Sequence, residues 1–340
     1  MIVMLCTRSR GGMRSVVEAY RSAGLFERRS VCLLYTHDEG SLILRLSLAA
    51  HTLVRFFRML LRREVTLLHA HISMRGSFWR KSLFVVLARR FNVPVVAHPH
   101  GSDFERFVTE QPVWRRRLVV TQLERMDVVL VLGERWRQYI LSIAPSAHVQ
   151  VLPNWVRLPD AEVAHSQRDT VELLFLGIVG RRKGIYELLE ALAIVQKQIP
   201  SIRLTVGGNG DIAAAQSAAD RLGIAHLVSF AGWVAGDAKR RLLQNSDVYV
   251  LPSHNEGLPV SILEAMSWQL PIISTDVGAI AELVRQDVDG LIVQPGDVAA
   301  LAAAIVRLAV SIELRQSMGA SAKQRVAGQY SEGVVMPILY

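Results

Sequence analysis

Residues 253–284 read SHNEGLPVSILEAMSWQLPIISTDVGAIAELV, and they join a loop carboxylate, a helix start and a buried strand in one unit. Just before them, residues 247–252 (DVYVLP) form a short apolar run rich in β-formers, which predicts a buried strand ended by Pro252. Pro259 falls where the first helical position is expected, and the run to Trp268 is helix-compatible, with Val260, Leu263 and Met266 apolar. Glu256 is therefore expected in the loop and Glu264 on the helix. Because Pro259 has no N–H, the amides of Val260 and Ser261 are left as free donors at the positive end of that helix, where a phosphate or diphosphate is well held. A carboxylate at Glu256 would repel a phosphate, so neutral hydroxyls, as on a sugar, are its expected partners. Glu264, just over one turn into the helix, can take a second hydroxyl pair such as that of a ribose. The stretch reads as built for a sugar nucleotide.

Working outward, 340 residues suffice for two domains of ordinary size, each with its own core. A hydrophobic fraction of 51% and a charged fraction of 20% fit a globular chain and exclude a disordered one. The two cysteines, Cys6 and Cys32, lie in apolar, strand-like runs; their number excludes a disulfide framework, and buried thiols in a reducing compartment are expected. The opening MIVMLCTRSRGG has a short apolar part followed by charge and reads as a first strand rather than a signal peptide. No stretch of eighteen uncharged apolar residues occurs, so a cytoplasmic chain that does not span a membrane is expected. Charge is uneven: 24 Lys plus Arg face 12 Asp plus Glu up to residue 160, giving +12, and 15 face 18 beyond it, giving −3.

Strand-like runs near 1–6, 30–36, 65–70, 94–99 and 127–132 alternate with helical stretches that include 12–23, 41–63, 76–91 and 134–142. A second series follows near 171–177, 202–207, 227–231, 247–252, 271–275 and 290–293. Such alternation predicts parallel βαβ units in an α/β fold. The polar, proline-containing stretch between the two series reads as a linker. The expected division is a domain over 1–155, a linker over 156–170, a second domain over 171–330 and a closing segment over 331–340. Pro337 is expected to disturb any helix in that last segment.

Several motifs stand at strand ends. Gly11 and Gly12 follow the first strand and precede a helix, where a glycine pair lets the backbone approach a ligand or makes a tight turn. His69 and His71, then His98 and His100, form two pairs with period two, each on one face of its strand. Zinc is conceivable there, but no cysteine or carboxylate completes a convincing ligand set. His51, Arg55, Arg58 and Arg62 recur at helical spacing opposite Leu53, Phe56, Phe57, Leu60 and Leu61, a basic amphipathic pattern. Phe104, Arg106, Phe107, Trp114 and Arg115 to Arg117 mix aromatic and basic side chains, a surface suited to an anionic bilayer; a core-facing helix beside a solvated charge run is the competing reading.

Taken together, Glu256 and Glu264 inside S-x-x-E-G-L-P-x-x-x-L-E-A-M, followed by P-I-I-S-T-x-V-G, resemble the carboxy-terminal signature of retaining glycosyltransferases of family 4. The run HGSDF resembles the amino-domain motif of the same family, of the bacterial surface-polysaccharide type. The resemblance covers nearly the whole chain and implies the GT-B fold: two facing, doubly wound Rossmann-like domains with a cleft between them, the first on the acceptor side and the second binding the nucleotide sugar. It implies that the Gly11-Gly12 loop faces donor phosphates and acceptor, and that His100 lies beside the reacting sugar, with His69 and His98 as core residues. In FLGIVGRRKG the family has an arginine after F-x-G and a lysine five residues later, both for the donor diphosphate. Lys183 matches the lysine, whereas Ile178 stands at the arginine position, leaving Arg181 or Arg182 as substitutes. The GGNGD loop and Gly232-Trp233-Val234 line the nucleotide pocket in the family, with Val234 at the base edge; a turn around a packed tryptophan explains the same letters. Gly257 and Leu258 complete the donor-binding set with Val260 and Ser261, and the closing segment crosses back to the first domain.

The implied chemistry is sugar transfer with retention from a nucleoside diphosphate sugar to an acceptor hydroxyl, with no metal and no other cofactor. The expected catalytic set is His100, Glu256 and Lys183. A lipid-linked saccharide acceptor, an anionic membrane face and a peripheral position inside the cell are the expected partners and location, without nucleic acid. Three rival readings stand beside it. A sugar-nucleotide epimerase of the same fold is the nearest. A nicotinamide-dependent dehydrogenase would use Gly208-x-Gly210-x-x-Ala213, but residues 227–231 end without the acidic residue a ribose needs. A nucleic-acid-binding protein would explain the basic first half and not the glutamate pair.

Overall fold

The computed structural model describes residues 1–9, 12–74, 76–160 and 169–339, and the chain divides into two compact units. The first comprises Met1–Asn154 together with Leu339, the second Trp155–Ile338.

The first unit is built on six parallel strands: β1 (Ile2–Cys6), β2 (Val31–Tyr35), β3 (Leu67–Ile72), β4 (Val95–Pro99), β5 (Val128–Val131) and β6 (Val149–Val151). Their spatial order is β2-β1-β3-β4-β5-β6, with Val3 opposite both Cys32 and Leu68, and His71 opposite His98. Apolar residues fill both faces of β1, as a parallel sheet covered on both sides requires. The core joins Leu5, Leu68 and Val129 of the sheet to Phe56, Phe78 and Phe84 of the covering helices. The second unit repeats the plan with β7 (Val171–Leu176), β8 (Ile202–Gly207), β9 (Val228–Gly232), β10 (Val248–Leu251), β11 (Ile272–Thr275) and β12 (Gly290–Val293), ordered β12-β11-β10-β7-β8-β9. Strand order reverses at β1/β3 in one sheet and at β7/β10 in the other. Loops leaving the carboxyl ends of those strands diverge and open a crevice, which is where open α/β sheets bind ligands.

Two Rossmann-like sheets are thus present, with strand boundaries within two residues of those expected at most ends. The aromatic–basic segment is corrected. It folds as two helices, Phe104–Thr109 and Val113–Glu124, and the first turns Phe104 (1% exposed) and Phe107 (3%) into the core. Trp114 (60% exposed), the three arginines after it and Arg106 stay on the surface. In the helix Leu42–Leu61, capped by Ser41, Phe56 and Leu60 are buried but Phe57 and Leu61 are exposed, so the apolar side of that helix is only half used by the core. His51, Arg55, Arg58 and Arg62 are exposed as the pattern requires.

Of the expected linker, residues 161–168 lie outside the described residues. Its start is anchored: the Val156 amide donates to the Tyr330 carbonyl (3.0 Å), and Glu332 donates to the Val156 carbonyl (3.1 Å). The closing segment continues as the helix Glu332–Leu339, grouped with the second unit through Ile338. Pro337 does not break that helix; it sits two residues from the end, where little remains to be kinked.

Removing a buried aromatic ring leaves a cavity, so Phe104→Ala should destabilise the first unit by about 3–5 kcal/mol, whereas Trp114→Ala should stay within about 0.5 kcal/mol. Urea unfolding of both variants measures this, and equal losses would return the segment to a wholly surface role.

Candidate active site

At the β7/β10 reversal two loops are locked together by backbone. Leaving β7, the chain makes the 3₁₀ turn Arg181–Lys183 and then Gly184, whose φ of 72° only glycine holds without strain. A Cβ at Gly184 would collide with the Pro252 carbonyl oxygen. The close approach lets the His254 amide donate to the Arg182 carbonyl at 2.9 Å. Lys183 is thereby carried beside Glu256, and the two form a largely buried ion pair. Ser253, also buried, donates its hydroxyl to Glu256 Oε1 at 2.7 Å.

A third loop closes the site from β11. Thr275 Oγ1 donates to the Ser253 carbonyl at 2.5 Å, Ser274 Oγ to the Leu251 carbonyl at 2.7 Å, and the Ala279 amide to the Gly257 carbonyl at 2.8 Å. Gly278, at φ 59°, lies so close to the Glu256 and Gly257 carbonyls that a Cβ would strike both. The S-T-x-V-G half of the signature is therefore the wall against which the E-G-L-P loop is folded.

The helix Val260–Ser267 starts one residue later than expected. Pro259 is its cap rather than its first residue, with ψ 119°, and its carbonyl takes the amides of Ile262 (3.2 Å) and Leu263 (3.4 Å). The amides of Val260 and Ser261 still lead the helix. Leu258 is buried beneath this start, Gly257 is half-buried, and Tyr249 under the site donates to the Leu176 carbonyl at 3.0 Å. Glu264 follows on the same helix, ion-paired with Lys239 of the helix Gly236–Asn245.

The remaining donor-side positions are more open. Arg181 and Arg182 are exposed, the Arg181 guanidinium lying 5.3 Å from the centre of the Tyr186 ring, and Ile178 is 51% exposed. Gly208 and Gly210 have φ of 149° and 125°, and side chains there would collide with the carbonyls of Gly177 and Val179. Paired backbones explain these glycines: Val179 donates to the Asn209 carbonyl (2.7 Å) and Asp211 to the Val179 carbonyl (2.9 Å). Val234 is half-buried, with its side chain where a Cβ on Gly207 would press. Trp233 is 57% exposed, which corrects the packed-tryptophan reading of that turn.

In the first unit Gly11 lies outside the described residues, and Gly12 opens the helix Gly12–Ser22 with open space where a side chain would go. His69, His71, His98 and His100 stack at the ends of β3 and β4, with ring centres 4.1–5.7 Å apart for neighbouring pairs. His71 Nδ1 and His100 Nε2 share a hydrogen bond of 2.7 Å, and the His100 amide donates to the Ile72 carbonyl at 2.8 Å. Burial holds the imidazoles neutral, lowering His69 to about 4 and His100 to about 3, with His71 and His98 also well below the ordinary value. Buried Lys81 donates to the His71 carbonyl and to Ser77 Oγ (3.3 Å), and burial lowers its amine to about 7. Lys183, Glu256, Val260, Ser261 and Glu264 are thus brought together in the second unit, while His100 belongs to the first.

Comparison with known proteins follows the same division. The family model described as "Glycosyl transferase 4-like domain" matches residues 3–155, and that described as "Glycosyl transferases group 1" matches residues 170–310. The chain belongs to the glycosyltransferases. An uncharacterized glycosyltransferase of Methanocaldococcus jannaschii is 30% identical over 166 residues, 48% of this chain and 42% of that one. The phosphatidyl-myo-inositol mannosyltransferase of Mycobacterium leprae is 29% identical over 293 residues, 83% of this chain and 74% of that one. Among solved structures, Anabaena HepE in complex with UDP-glucose matches with a TM-score of 0.76 at 17% identity, over 99% of this chain and 97% of that one. The shared fold is GT-B, with its two Rossmann-like domains. The matches span about half the length of the first curated relatives, between 42% and 53%.

Within this glycosyltransferase the sequence pointed to both glutamates but not to what holds them. Lys239 lies in GDAKRRLL, where nothing in the local pattern separates it from its neighbours. Ser253 was legible only as a motif letter. The glycines give a test of the locking contacts. Gly184→Ala and Gly278→Ala should each cost about 1–3 kcal/mol from backbone strain alone, with the collisions adding to it. Gly12→Ala, with room for its methyl group, should stay within about 0.5 kcal/mol. Thermal melts of the three variants decide; unchanged stability at Gly184 and Gly278 would remove the locked-loop account.

Proposed function

We propose that the chain transfers a sugar, with retention of anomeric configuration, from a nucleoside diphosphate sugar to an acceptor hydroxyl. The observation that carries this reading is the Lys183–Glu256 pair beside the leading amides of the helix Val260–Ser267, with Glu264 further along that helix. One end of such a site accepts from hydroxyls and the other neutralises an anion. Glu256 takes hydroxyls of the donor sugar and Glu264 those of the ribose. Lys183, an arginine of the Arg181–Lys183 turn and the amides of Val260 and Ser261 meet the charge that grows on the departing diphosphate, as preorganised donors without a metal. Val234 borders the base, and Gly257 and Leu258 shape the loop beneath the sugar; for the first unit, the family resemblance assigns the Gly11-Gly12 loop to phosphates and acceptor and His100 to the sugar. The UDP-glucose held by HepE supports a donor of this class.

The acceptor in this proposal is a lipid-linked saccharide of bacterial surface polysaccharide assembly, reached from the cytoplasmic face of the membrane by a peripherally bound protein. The phosphatidyl-myo-inositol mannosyltransferase relative supports a lipid acceptor by its name. Exposed Val113, Trp114 and Leu118 beside Arg115–Arg117 supply an apolar and basic surface, with Arg115 5.0 Å from the centre of the Trp114 ring. Among the described residues no helix is long and apolar enough to cross a membrane.

Once a panel of nucleotide sugars has identified the donor by thermal stabilisation, Glu256→Gln should depress turnover far more than nucleotide affinity, and Glu264→Gln should weaken the nucleotide. Arg181→Ala or Arg182→Ala should lower turnover as much as Lys183→Ala, by about 100-fold to 1000-fold, while Ile178→Arg is neutral or modestly activating. Full turnover in both arginine variants would show that the turn lends no second cation. For the membrane, replacing Arg115, Arg116 and Arg117 by Ser should release the protein from anionic vesicles, where each basic group contributes on the order of 1 kcal/mol at low salt. Sedimentation that ignores both salt and this change would sink the membrane assignment.

A further inference from the structure

The four-histidine cluster of the first unit has more nitrogen than its surroundings use. His69 Nε2, His71 Nε2 and both ring nitrogens of His98 are buried and meet no hydrogen-bond partner in the protein. Buried polar atoms in folded proteins are nearly always satisfied, so an unsatisfied group of this size calls for a ligand. One ring nitrogen from each of His69, His71 and His98 lies within 4.8 Å of the others.

We propose that His69, His71 and His98 form a structural site for a zinc-class transition-metal ion that ties β3 to β4. An all-imidazole donor set suits zinc, cobalt, nickel and copper rather than magnesium or calcium. Its nitrogens carry free lone pairs at neutral pH, as a metal requires. The hydrogen bond between His71 Nδ1 and His100 Nε2 (2.7 Å) is the kind of outer contact that fixes a ligand's tautomer: with the proton on Nδ1, the unpartnered Nε2 of His71 is the lone pair offered to the ion. Tetrahedral zinc with bonds of about 2.0–2.1 Å needs nitrogens about 3.4 Å apart, so the stacked rings must rotate inward. Rotation about the ring torsion of histidine is soft, and His69 and His98 have no hydrogen bond from these nitrogens to break. Three imidazoles leave a fourth position for a water or hydroxide. Lys81, donating to the His71 carbonyl, opposes a second cation nearby, so affinity in the micromolar range is expected rather than the tight binding of a thiolate site. The site belongs to the first unit and shares no ligand with the donor site of the second; His100, its outer contact, is the one residue it has in common with the proposed sugar transfer.

The test uses the full chain without a histidine tag, stripped with chelator and titrated with Co²⁺ and with Zn²⁺. One equivalent of Co²⁺ should bind, with the intense visible bands of tetrahedral nitrogen coordination, and Zn²⁺ should displace it. Zn²⁺ at a hundredfold excess over Kd should raise the melting temperature of the first unit by about 8 °C. His98→Phe and His69→Phe, which keep the ring volume, should abolish both signals, while His51→Ala on the exposed helix surface should leave them intact. Featureless Co²⁺ spectra with no Zn²⁺-dependent shift of the wild-type protein would overturn the proposal and leave a trapped water as the partner of these nitrogens. Binding that survives both phenylalanine variants would overturn it as well. Because the wild-type spectrum is read directly, a variant that fails to fold does not blunt the result.

Discussion

The salt link between Lys183 and Glu256 is the contact on which the geometry of the donor side depends. It joins the loop after β7 to the loop after β10, two segments seventy-three residues apart in the chain. A lone buried charge in either place would be strongly unfavourable; paired and bonded to Ser253, each ion fixes the other. Around it, backbone contacts leave no choice of loop path, because Gly184 presses on Pro252 and Gly278 on Glu256 and Gly257. A ligand arriving here finds charges already arranged, and preorganised charge is what electrostatic catalysis uses.

Sheet topology explains why the pair forms where it does. In an order β12-β11-β10-β7-β8-β9, only β7 and β10 are neighbours whose outgoing loops run to opposite sides. A cation and a carboxylate placed after those two strands must meet at the sheet's carboxyl edge. The same rule places Gly12 after β1 and His100 after β4 in the first unit, beside His71 and His98 near the carboxyl ends of β3 and β4. The glycines of the β8 loop, which from sequence alone could belong to a dinucleotide fingerprint, serve the same edge: they let one backbone lie against another.

The two units differ in what they expose. The second is nearly neutral and closes its site with short polar side chains, whereas the first carries the chain's positive excess and leaves apolar residues at Val113, Trp114 and Leu118 in solvent. Its buried histidines are unusual in the opposite sense: they are polar groups held inside, neutral because burial makes the charged form unfavourable.

Strand positions, the parallel α/β class, the start of the helix to within one residue and the separation of loop Glu256 from helix Glu264 were all legible in the sequence. They depend on local periodicity, on proline placement and on turn residues, which act within a few positions. The inward turn of Phe104 and Phe107 was not, because an aromatic–basic mixture reads the same on a surface helix and on a half-buried one until a core is there to receive it. Nor was Lys239 as the partner of Glu264, since helices remote in sequence meet only through packing. The histidine pairs show the boundary most plainly. Period two put His69 with His71 and His98 with His100 on their strands, but only the parallel register that sets His71 opposite His98 stacked the four rings into one cluster with nitrogens left over.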